Sequence, residues 1–399
     1  MIDDSTSRTW IDVDPAAIAR NVRVLQRRLP ESCGVLMVVK SDGYGHGLEL
    51  VARATVEAGV WGFAVATLQE AERLRAAGIE HPIVCVMPLL PAQAAKVIEL
   101  SVIPAITSLE QAEAFDAAAR ARGRRVDVHA DVDTGIGRTG AWDRDAMDVI
   151  DRLVKLPGLR VAGIFTHFAS ADEPGREPTE RQMDRFEKVL ADLDSRGVSV
   201  DCVHAANSAA ALRFARASRL AGNRRGTRVL VRPGIALFGA TGEIAPDTEV
   251  GSWRGDLSAG ESPFEPALSW RARVLAVKEL QPGDSVSYHG TYVAKKRERI
   301  AVLGVGYADG WPLALSNRGH VLLRGRPARV RGAVCMDLTM VDATPHEDLR
   351  AGEIATLIGE QGGIRRTAED VAEEAGANAY SILTGIGPRV RRRTKEASE

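Results

Sequence analysis

Short apolar runs rich in β-branched residues recur along the first part of the chain, and each is followed by a turn and an amphipathic stretch. This alternation of strand-like runs with stretches of helical period is typical of repeated βα units. The pattern predicts eight strands, at Gly34–Lys40, Gly62–Ala66, Pro82–Met87, Ile103–Ile106, Val126–Val132, Arg160–His167, Cys202–Ala205 and Leu230–Ala236.

The stretches between these runs are rich in Ala, Leu and Arg and predict helices that bury one face. Four glycines stand where glycine commonly ends a helix, at Gly59, Gly78, Gly123 and Gly197. The predicted helices include Leu48–Ala58, Leu68–Ala77, Ser108–Ala121, Ala146–Leu153, Thr179–Ser195 and Ser208–Ala217. Eight parallel strands separated by helices predict an α/β fold, a (β/α)8 TIM-type barrel over residues 1–240.

The pattern changes after Gly239. Residues Thr241–Pro266 are rich in Gly, Pro, Ser and acidic residues, which predicts a linker or a surface excursion. Beyond them the chain alternates apolar and polar positions, with a helical period only near Thr367–Ala375. Residues 241–399 are therefore predicted to form a separate, mainly β domain.

Composition narrows the class of protein. Of the 399 residues, 45% are hydrophobic and 26% are charged, which suits a globular protein with sizeable cores. The formal net charge is −1, so the overall charge favours neither nucleic acid nor an anionic membrane as a partner, and a small-molecule substrate is expected. The sequence has neither a signal-peptide pattern nor an apolar stretch of membrane-spanning length, which predicts a cytoplasmic protein.

The cysteines lie far apart in the sequence, at Cys33, Cys85, Cys202 and Cys335. Three of them stand inside apolar runs, which favours buried free thiols over disulfides. No pair has the short spacing of a CxxC metal site, so no metal is predicted.

Polar residues fall at the ends of the predicted strands, where the loops of a (β/α)8 barrel converge on one mouth and reactive groups collect. Their positions, in chain order, are Lys40, Asp131 and Asp133, His167, and Asn207 with Ser208; Gly234 lies within the last predicted strand, near its end.

The loop after Lys40 reads SDGYGHG, and its glycines allow a sharp bend and a close approach of the backbone to a ligand. A lysine that ends an apolar strand can be a snorkelling surface residue. The glycine-rich loop favours instead a desolvated amine with a lowered pKa, as Schiff-base chemistry requires.

The connections after the seventh and eighth strands form a second candidate region, since phosphate often binds there in barrels of this type. A helix that begins at Ser208 would direct free N–H groups at a phosphate, and the turn Arg232–Gly234 lies nearby. The alternative is that Asn207 and Ser208 only cap the helix.

A series of motifs occurs in order from Val38 to Asp337: VVKSDGYGHG, DTGIGRTG, THFA, HAANSAA, VRPGIALFG, VSYHGTY, GYADG and CMD. Together they resemble the alanine racemase family, pyridoxal-phosphate enzymes built from a barrel and a β domain. The resemblance extends from WIDVD near the start of the chain to Tyr380 and the GPRV that follows it. It implies an isomerase that interconverts L-alanine and D-alanine and supplies D-alanine for peptidoglycan.

The resemblance implies that Lys40 binds pyridoxal phosphate covalently. It places the remaining cofactor-binding positions at Tyr44, Arg138, His167, Asn207, Ser208, Arg232, Gly234, Ile235 and Tyr380. Among them, Arg232 matches the arginine that donates to the pyridine nitrogen, with His167 behind it. Because arginine only donates hydrogen bonds, that nitrogen would stay unprotonated, and the ring would be a weaker electron sink that restrains side reactions.

Racemisation removes the α-proton from one face and returns a proton to the other, so two bases on opposite faces are the economical arrangement. By resemblance these are Lys40 and Tyr288. A tyrosine has a pKa near 10 and needs neighbouring cations to act as a base at neutral pH. Arg138 matches the arginine near the substrate carboxylate. Tyr307 and Met336 match substrate-pocket positions from a neighbouring subunit, which implies a homodimer with shared active sites.

One position departs from the family pattern. Many members carry a carbamylated lysine two residues before DTG, where this chain has Asp131. An aspartate supplies a carboxylate without carbon dioxide, so Asp131 is expected to orient Arg138 directly, unless it is a barrel-interior acid with another partner. A milder departure is SDG in place of the commoner ANA after Lys40.

Three other activities are compatible with parts of the pattern. A racemase of broader specificity, or one for serine, fits the same scaffold, and pocket size would decide. A basic amino-acid decarboxylase uses a similar barrel, but Arg232 at the pyridine nitrogen argues against it. A non-catalytic pyridoxal-phosphate carrier would need neither VSYHGTY nor CMD.

Overall fold

The computed structural model describes residues 7–173, 175–220, 224, 226–241 and 262–395. Within these residues the chain forms two sheets of nine strands each and a two-stranded ribbon. The predicted linker Thr241–Pro266 falls mainly on residues 242–261, which lie outside the described residues. The predicted domain boundary at residue 240 stays a prediction.

Eight parallel strands of the first sheet close into a barrel, since the fourth strand pairs with the fifth and the eighth pairs with the first. In order they are Cys33–Val38, Gly62–Val65, Ile83–Cys85, Ile103–Ile106, Val126–Asp133, Leu159–Phe165, Cys202–His204 and Arg228–Val231. A short outer strand, Ala141–Trp142, pairs with the fifth. The predicted (β/α)8 barrel is thus confirmed.

The last strand was predicted too late in the sequence. It ends at Val231, because Pro233 has no N–H with which to extend the ladder. Gly234 therefore lies beyond the strand, and Ile235–Phe238 forms a 3₁₀ helix. The sixth strand likewise ends at Phe165, so His167 lies in the loop that follows it.

Helices surround the barrel, and side chains cap the starts of four of those described, at Asp14, Thr67, Ser108 and Asn207. Thr67 accepts a hydrogen bond from the amide of Glu70, whose side chain reaches back to the cap. The helix predicted from Ser208 to Ala217 is shorter, because Phe214 adopts an extended conformation after Arg213. The helices of this part are Pro15–Gln26, Lys40–Tyr44, Leu48–Glu57, Leu68–Ala76, Ala94–Leu100, Leu109–Arg120, Ala146–Leu153, Glu177–Ser195 and Ser208–Arg213, with 3₁₀ helices at Pro91–Gln93 and Ala215–Ser218.

The second sheet is centred on the long strand Leu268–Leu280, which pairs with three others. The N-terminal strand Thr9–Val13 also belongs to this sheet, between Leu268–Leu280 on one side and Arg391–Thr394 on the other. The remaining strands are Glu298–Leu303, His320–Leu323, Arg326–Arg329, Thr339–Asp342, Ile354–Gln361 and Ile364–Arg366.

The rest of the second part consists of short elements. A ribbon pairs Ser285–Val286 with Tyr292–Val293. The helix predicted near Thr367–Ala375 runs over Ala368–Ala375 with Thr367 as its cap, and Ala379–Thr384 follows it. The 3₁₀ helices here are Tyr288–Gly290, Tyr307–Asp309 and Leu313–Leu315.

Of the helices in the described ranges, none has both the length and the apolar character needed to cross a membrane.

Candidate active site

A cavity of about 510 Å³ lies at the carboxyl ends of the barrel strands. The nitrogen-bearing titratable side chains among those that border it are Lys40, Arg138, His167 and Arg232. They follow the first, fifth, sixth and eighth strands. Closure of the barrel therefore brings together predicted residues that are far apart in the sequence.

Lys40 begins a short turn, Lys40–Tyr44, that is left-handed. Ser41, Asp42 and Tyr44 have φ angles of 54°, 56° and 53°, although none of them is glycine. Each such residue costs about 1–2 kcal/mol. Glycine alone therefore does not explain the bend, because three of the strained residues have side chains, and the strain lies directly beside Lys40.

The amine of Lys40 is adapted to react as a neutral group. Burial and the nearby positive charge of Arg138 lower its pKa, while the carboxylate of Glu70 acts in the opposite direction. A lower pKa increases the fraction of free amine at neutral pH, which is the nucleophilic and basic form.

Asn207 and Ser208 organise the connection after the seventh strand. Asn207 caps the helix, since its Oδ1 accepts a hydrogen bond from the Ala210 amide at 2.9 Å. The hydroxyl oxygen of Ser208 accepts hydrogen bonds from the amides of Gly234 at 2.9 Å and Ala236 at 3.3 Å. Ser208 thus ties this connection to the turn after the eighth strand, and both residues border the cavity.

Tyr44, Gly234 and Tyr380 border the same end of the cavity. The rings of the two tyrosines lie 6.1 Å apart, and burial raises the pKa of Tyr44. A Cβ atom on Gly234 would overlap the Tyr44 hydroxyl and lie 2.7 Å from its Cζ, so only glycine fits. Ile235 is buried behind this end.

Arg232 is a buried cation at the floor of the cavity. Its Nη2 donates hydrogen bonds to the carbonyl of Thr166 at 2.8 Å and to His167 Nδ1 at 2.9 Å, the neighbour that the resemblance predicted. Its Nη1 donates to His204 Nδ1 at 2.8 Å. Burial lowers the pKa of Arg232 to about 10, which leaves it positively charged at neutral pH.

The hydrogen bonds continue from Arg232 into the barrel interior through residues that the sequence analysis missed. His204 Nε2 lies 2.8 Å from His129 Nδ1, and His129 Nε2 lies 3.5 Å from Cys202 Sγ. Because Arg232 can only donate, His204 carries its proton on Nε2 and donates to His129, which in turn donates to Cys202. Burial lowers the pKa of His129 to about 4 and that of His204 well below its usual value, so both rings are neutral.

The same three residues have ligand atoms within 4.8 Å of one another, a spacing compatible with a metal ion. A metal on His204 would have to displace either Arg232 or His129 from a ring nitrogen. The donors and acceptors satisfy one another as they stand, so this cluster is better explained as a hydrogen-bond chain that fixes Arg232. Its signal in the sequence was a histidine in each of two predicted barrel strands.

Asp131 accepts a hydrogen bond from the Thr139 hydroxyl at 2.7 Å. Within the described residues it forms no direct ion pair with Arg138, although the charge of Arg138 acts on its carboxyl group, so the predicted orienting role stays a prediction. The alternative interpretation, a barrel-interior acid with another partner, fits the structure. Burial raises the pKa of Asp131 to about 6, against the lowering effects of Thr139 and Arg232.

Asp133 is the acid that organises the loop of Arg138. Its Oδ1 accepts hydrogen bonds from the amides of Gly135, Ile136 and Gly137 at 2.8–3.1 Å, and its Oδ2 accepts from the Arg138 amide at 2.9 Å. One carboxylate therefore folds the whole loop, while the side chain of Arg138 stays exposed at the cavity.

The raised pKa of Asp131 gives a prediction about stability. Protonated Asp131 contributes stability fully below its unfolded pKa of 3.8, and this contribution is lost as the pH rises through about 6. Asp131→Asn mimics the protonated form at every pH. Its stability relative to wild type should therefore rise by about 1–2 kcal/mol between pH 5 and pH 8, as measured by urea unfolding. Asp133→Asn, the control, should be destabilised at both pH values; an Asp131→Asn difference independent of pH would contradict the assignment.

The predicted residues of the β domain lie elsewhere. Tyr288, Tyr307 and Met336 are 66%, 45% and 52% exposed, and none of them borders the cavity. They are linked through their loops, because the Tyr307 amide donates to the carbonyl of Cys335 and the hydroxyl of Ser287 lies 3.3 Å from the sulfur of Cys335. The structure thus groups these three residues on one face of the second part of the chain, separate from Lys40.

Two family models match the chain, "Alanine racemase, N-terminal domain" over residues 13–242 and "Alanine racemase, C-terminal domain" over residues 267–394. An alanine racemase of Halothermothrix orenii is 37% identical over 390 residues, which cover 98% of this chain and 97% of the relative. An alanine racemase of a Geobacter species is 39% identical over 391 residues, which cover 96% and 98%.

Solved structures agree with this similarity. The alanine racemase of a D-cycloserine-producing Streptomyces lavendulae superposes with a TM-score of 0.86 at 35% identity, and the match covers 98% of each chain. The alanine racemase of Bartonella henselae, solved with covalently bound pyridoxal phosphate, has a TM-score of 0.82 at 26% identity, covering 98% of this chain and 100% of that one.

Proposed function

The chain belongs to the alanine racemase family, and from this premise we propose how it interconverts L-alanine and D-alanine with pyridoxal phosphate as its cofactor. The observation that carries the proposal is the cavity at the barrel mouth, on which a lysine of lowered pKa and a buried arginine converge.

The residues around the cavity fit pyridoxal phosphate. Lys40 offers an amine for covalent attachment, and Arg232 offers a fixed cation that can donate to a ring nitrogen. The other end, where Gly234 leaves room beside Tyr44, would hold the phosphate together with Ser208 and Tyr380. When bound, the cofactor withdraws electrons and makes the α-hydrogen of alanine acidic.

We assign the two proton transfers to Lys40 and Tyr288, one on each face of the substrate. Lys40 is suited to accept a proton because its pKa is lowered by burial and by Arg138. Arg138 would bind the substrate carboxylate, since an exposed guanidinium at the cavity matches a carboxylate in charge and shape. The loop fold imposed by Asp133 would keep it in place.

The second base requires a second subunit. Tyr288 stands exposed on the β domain with Tyr307 and Met336 and does not reach the cavity of its own chain. In a two-fold homodimer each such face can cover the barrel mouth of the partner, which creates two equivalent shared sites. An aromatic and apolar face of this kind is typical of a surface that is buried on assembly.

Proton exchange tests the proposed function directly. In D₂O the enzyme should convert L-alanine into D-alanine that carries deuterium at Cα, as followed by NMR and a chiral assay. A panel of L-amino acids in the same assay would separate an alanine enzyme from one of broader or serine specificity. Binding of the cofactor without exchange of the α-proton would contradict the proposal and favour a carrier.

Gly234→Ala should release the cofactor. The added methyl group would meet the Tyr44 ring. The backbone at residue 234 cannot move away from that ring without disturbing the hydrogen bond that its amide donates to Ser208. We expect cofactor affinity to fall by about 100-fold, the effect of one poorly accommodated group in a tight core. The measurement is a titration of cofactor absorbance in the reconstituted protein. Gly387→Ala is the control, because its Cβ would meet its nearest atom at 3.4 Å; equal affinities in both variants would contradict the proposed cradle.

A further inference from the structure

Glu70 connects two strand-to-helix turns through one carboxylate. Its Oε2 accepts hydrogen bonds from the amides of Ala66 at 2.8 Å and Thr67 at 3.2 Å, at the start of its own helix. Its Oε1 accepts a hydrogen bond from the amide of Ser41 at 2.6 Å. Ser41 immediately follows Lys40, so the carboxylate holds the backbone at the attachment point of that lysine.

The far end of the left-handed turn has other supports. Asp42 Oδ1 accepts hydrogen bonds from the Leu48 amide at 3.1 Å and from Arg73 Nη2 at 2.7 Å. Arg392, on the last strand, donates to the carbonyl of Gly45 at 3.1 Å. These contacts hold the segment from Asp42 to Leu48 in place. The Ser41 amide, which lies beside Lys40, is held instead by Glu70.

Helix capping accounts for the hydrogen bonds to Oε2 of Glu70 but not for the one to Oε1. The capping box explains why Oε2 faces Thr67, and Thr67 reciprocates by accepting from the Glu70 amide at 3.2 Å. A cap does not require Oε1 to bind Ser41, which belongs to a different turn. That second contact opposes the cost of a backbone conformation that side chains disfavour.

We propose that Glu70 is a positioning residue for Lys40: its carboxylate holds the left-handed turn through the Ser41 amide and so sets the direction in which Lys40 enters the cavity. The inference rests on the proposed role of Lys40. The charge of Glu70 also opposes the effect of burial on the pKa of Lys40, so the same group tunes the amine that it positions.

The test is Glu70→Gln in the holoenzyme. Glutamine can keep the capping contact, but its single carbonyl oxygen cannot serve both turns, and its NH₂ group would face the Ser41 N–H. Hydrogen exchange of the Ser41 amide should speed up, and kcat should fall about tenfold or more with a smaller change in KM, as expected for a lost charge-assisted hydrogen bond that positions a reacting group. The acidic limb of the kcat profile should move to lower pH, because the Lys40 amine is free only when substrate has displaced it and a negative charge near it has been removed.

Two controls isolate the proposed contact. Thr67→Ala removes the capping hydroxyl and leaves the Ser41 contact, and Glu72→Gln removes a charge on the same helix whose partner is Lys96. Neither should change the Ser41 exchange or the pH profile. Glu70→Asp keeps the charge but loses reach, so it should speed exchange with a smaller pH shift.

Unchanged Ser41 exchange and kcat in Glu70→Gln would overturn the inference, as would a Thr67→Ala variant that reproduces the whole effect. Borohydride labelling distinguishes a failure of the inference about Glu70 from a failure of the proposed function. Label on Lys40 with no effect of Glu70→Gln rejects the role of Glu70 alone, whereas label on another lysine rejects the proposed role of Lys40 itself.

Discussion

Lys40→Ala is expected to lower racemisation by a factor of about 10⁴ or more, because one side chain attaches the cofactor and also serves as a base. Another lysine is not expected to substitute, since Lys40 is the one lysine that borders the cavity in the part of the chain that the structure describes. The variant should also lose the absorbance of the covalently attached cofactor, while its fold and its thermal unfolding stay close to wild type.

Borohydride reduction of the wild-type protein, followed by peptide mass spectrometry, should place the cofactor on Lys40. Lys96→Ala is the matched control, because Lys96 is a surface residue paired with Glu72 and Glu99. It should keep full activity and full labelling. A reduced cofactor on any other lysine would end the assignment.

A mixture of two inactive variants should recover activity if the sites are shared. Lys40→Ala and Tyr288→Phe should each be nearly inactive alone, because each pure dimer lacks one base at both sites. After joint unfolding and refolding, about half of the dimers should be mixed, and each mixed dimer has one site with both defects and one intact site. Activity should return to roughly a quarter of wild type.

This prediction follows from the separation of two groups of residues within one chain. Tyr288 is 66% exposed and lies outside the cavity that Lys40 borders. Native mass spectrometry would establish that mixed dimers are present. Mixed dimers without activity would mean that Lys40 and Tyr288 act in one chain and that the shared-site proposal is wrong.

The barrel was predictable because most of its strands are buried on both sides and therefore read as short apolar runs. Ile103–Ile106 and Ala146–Leu153 were predicted to the residue. The last strand was placed too late because the apolar residues after Pro233 continue the pattern, although they form a 3₁₀ helix. Hydrophobicity does not distinguish a strand from a buried 3₁₀ helix, whereas the missing N–H of Pro233 shows that the strand cannot continue.

The finer arrangement of the site depended on contacts that no local pattern encodes. The left-handed turn after Lys40 is imposed from outside, by Glu70, Arg73 and Arg392. Likewise, Asp131 and Asp133 are both acids at the end of one strand, and spacing alone did not show which of them holds the Arg138 loop. His129 and His204 meet only because the barrel brings their strands close together.

The position of the strand Thr9–Val13 has a consequence for biosynthesis. Its two neighbours are made late, since Leu268–Leu280 follows the barrel and Arg391–Thr394 is near the last residue that the structure describes. During translation the barrel strands emerge from the ribosome before this strand has any partner, so it remains unpaired at least until Leu268–Leu280 has been made. Contacts of such large sequence separation form slowly. An unpaired strand is also a site for association between nascent chains.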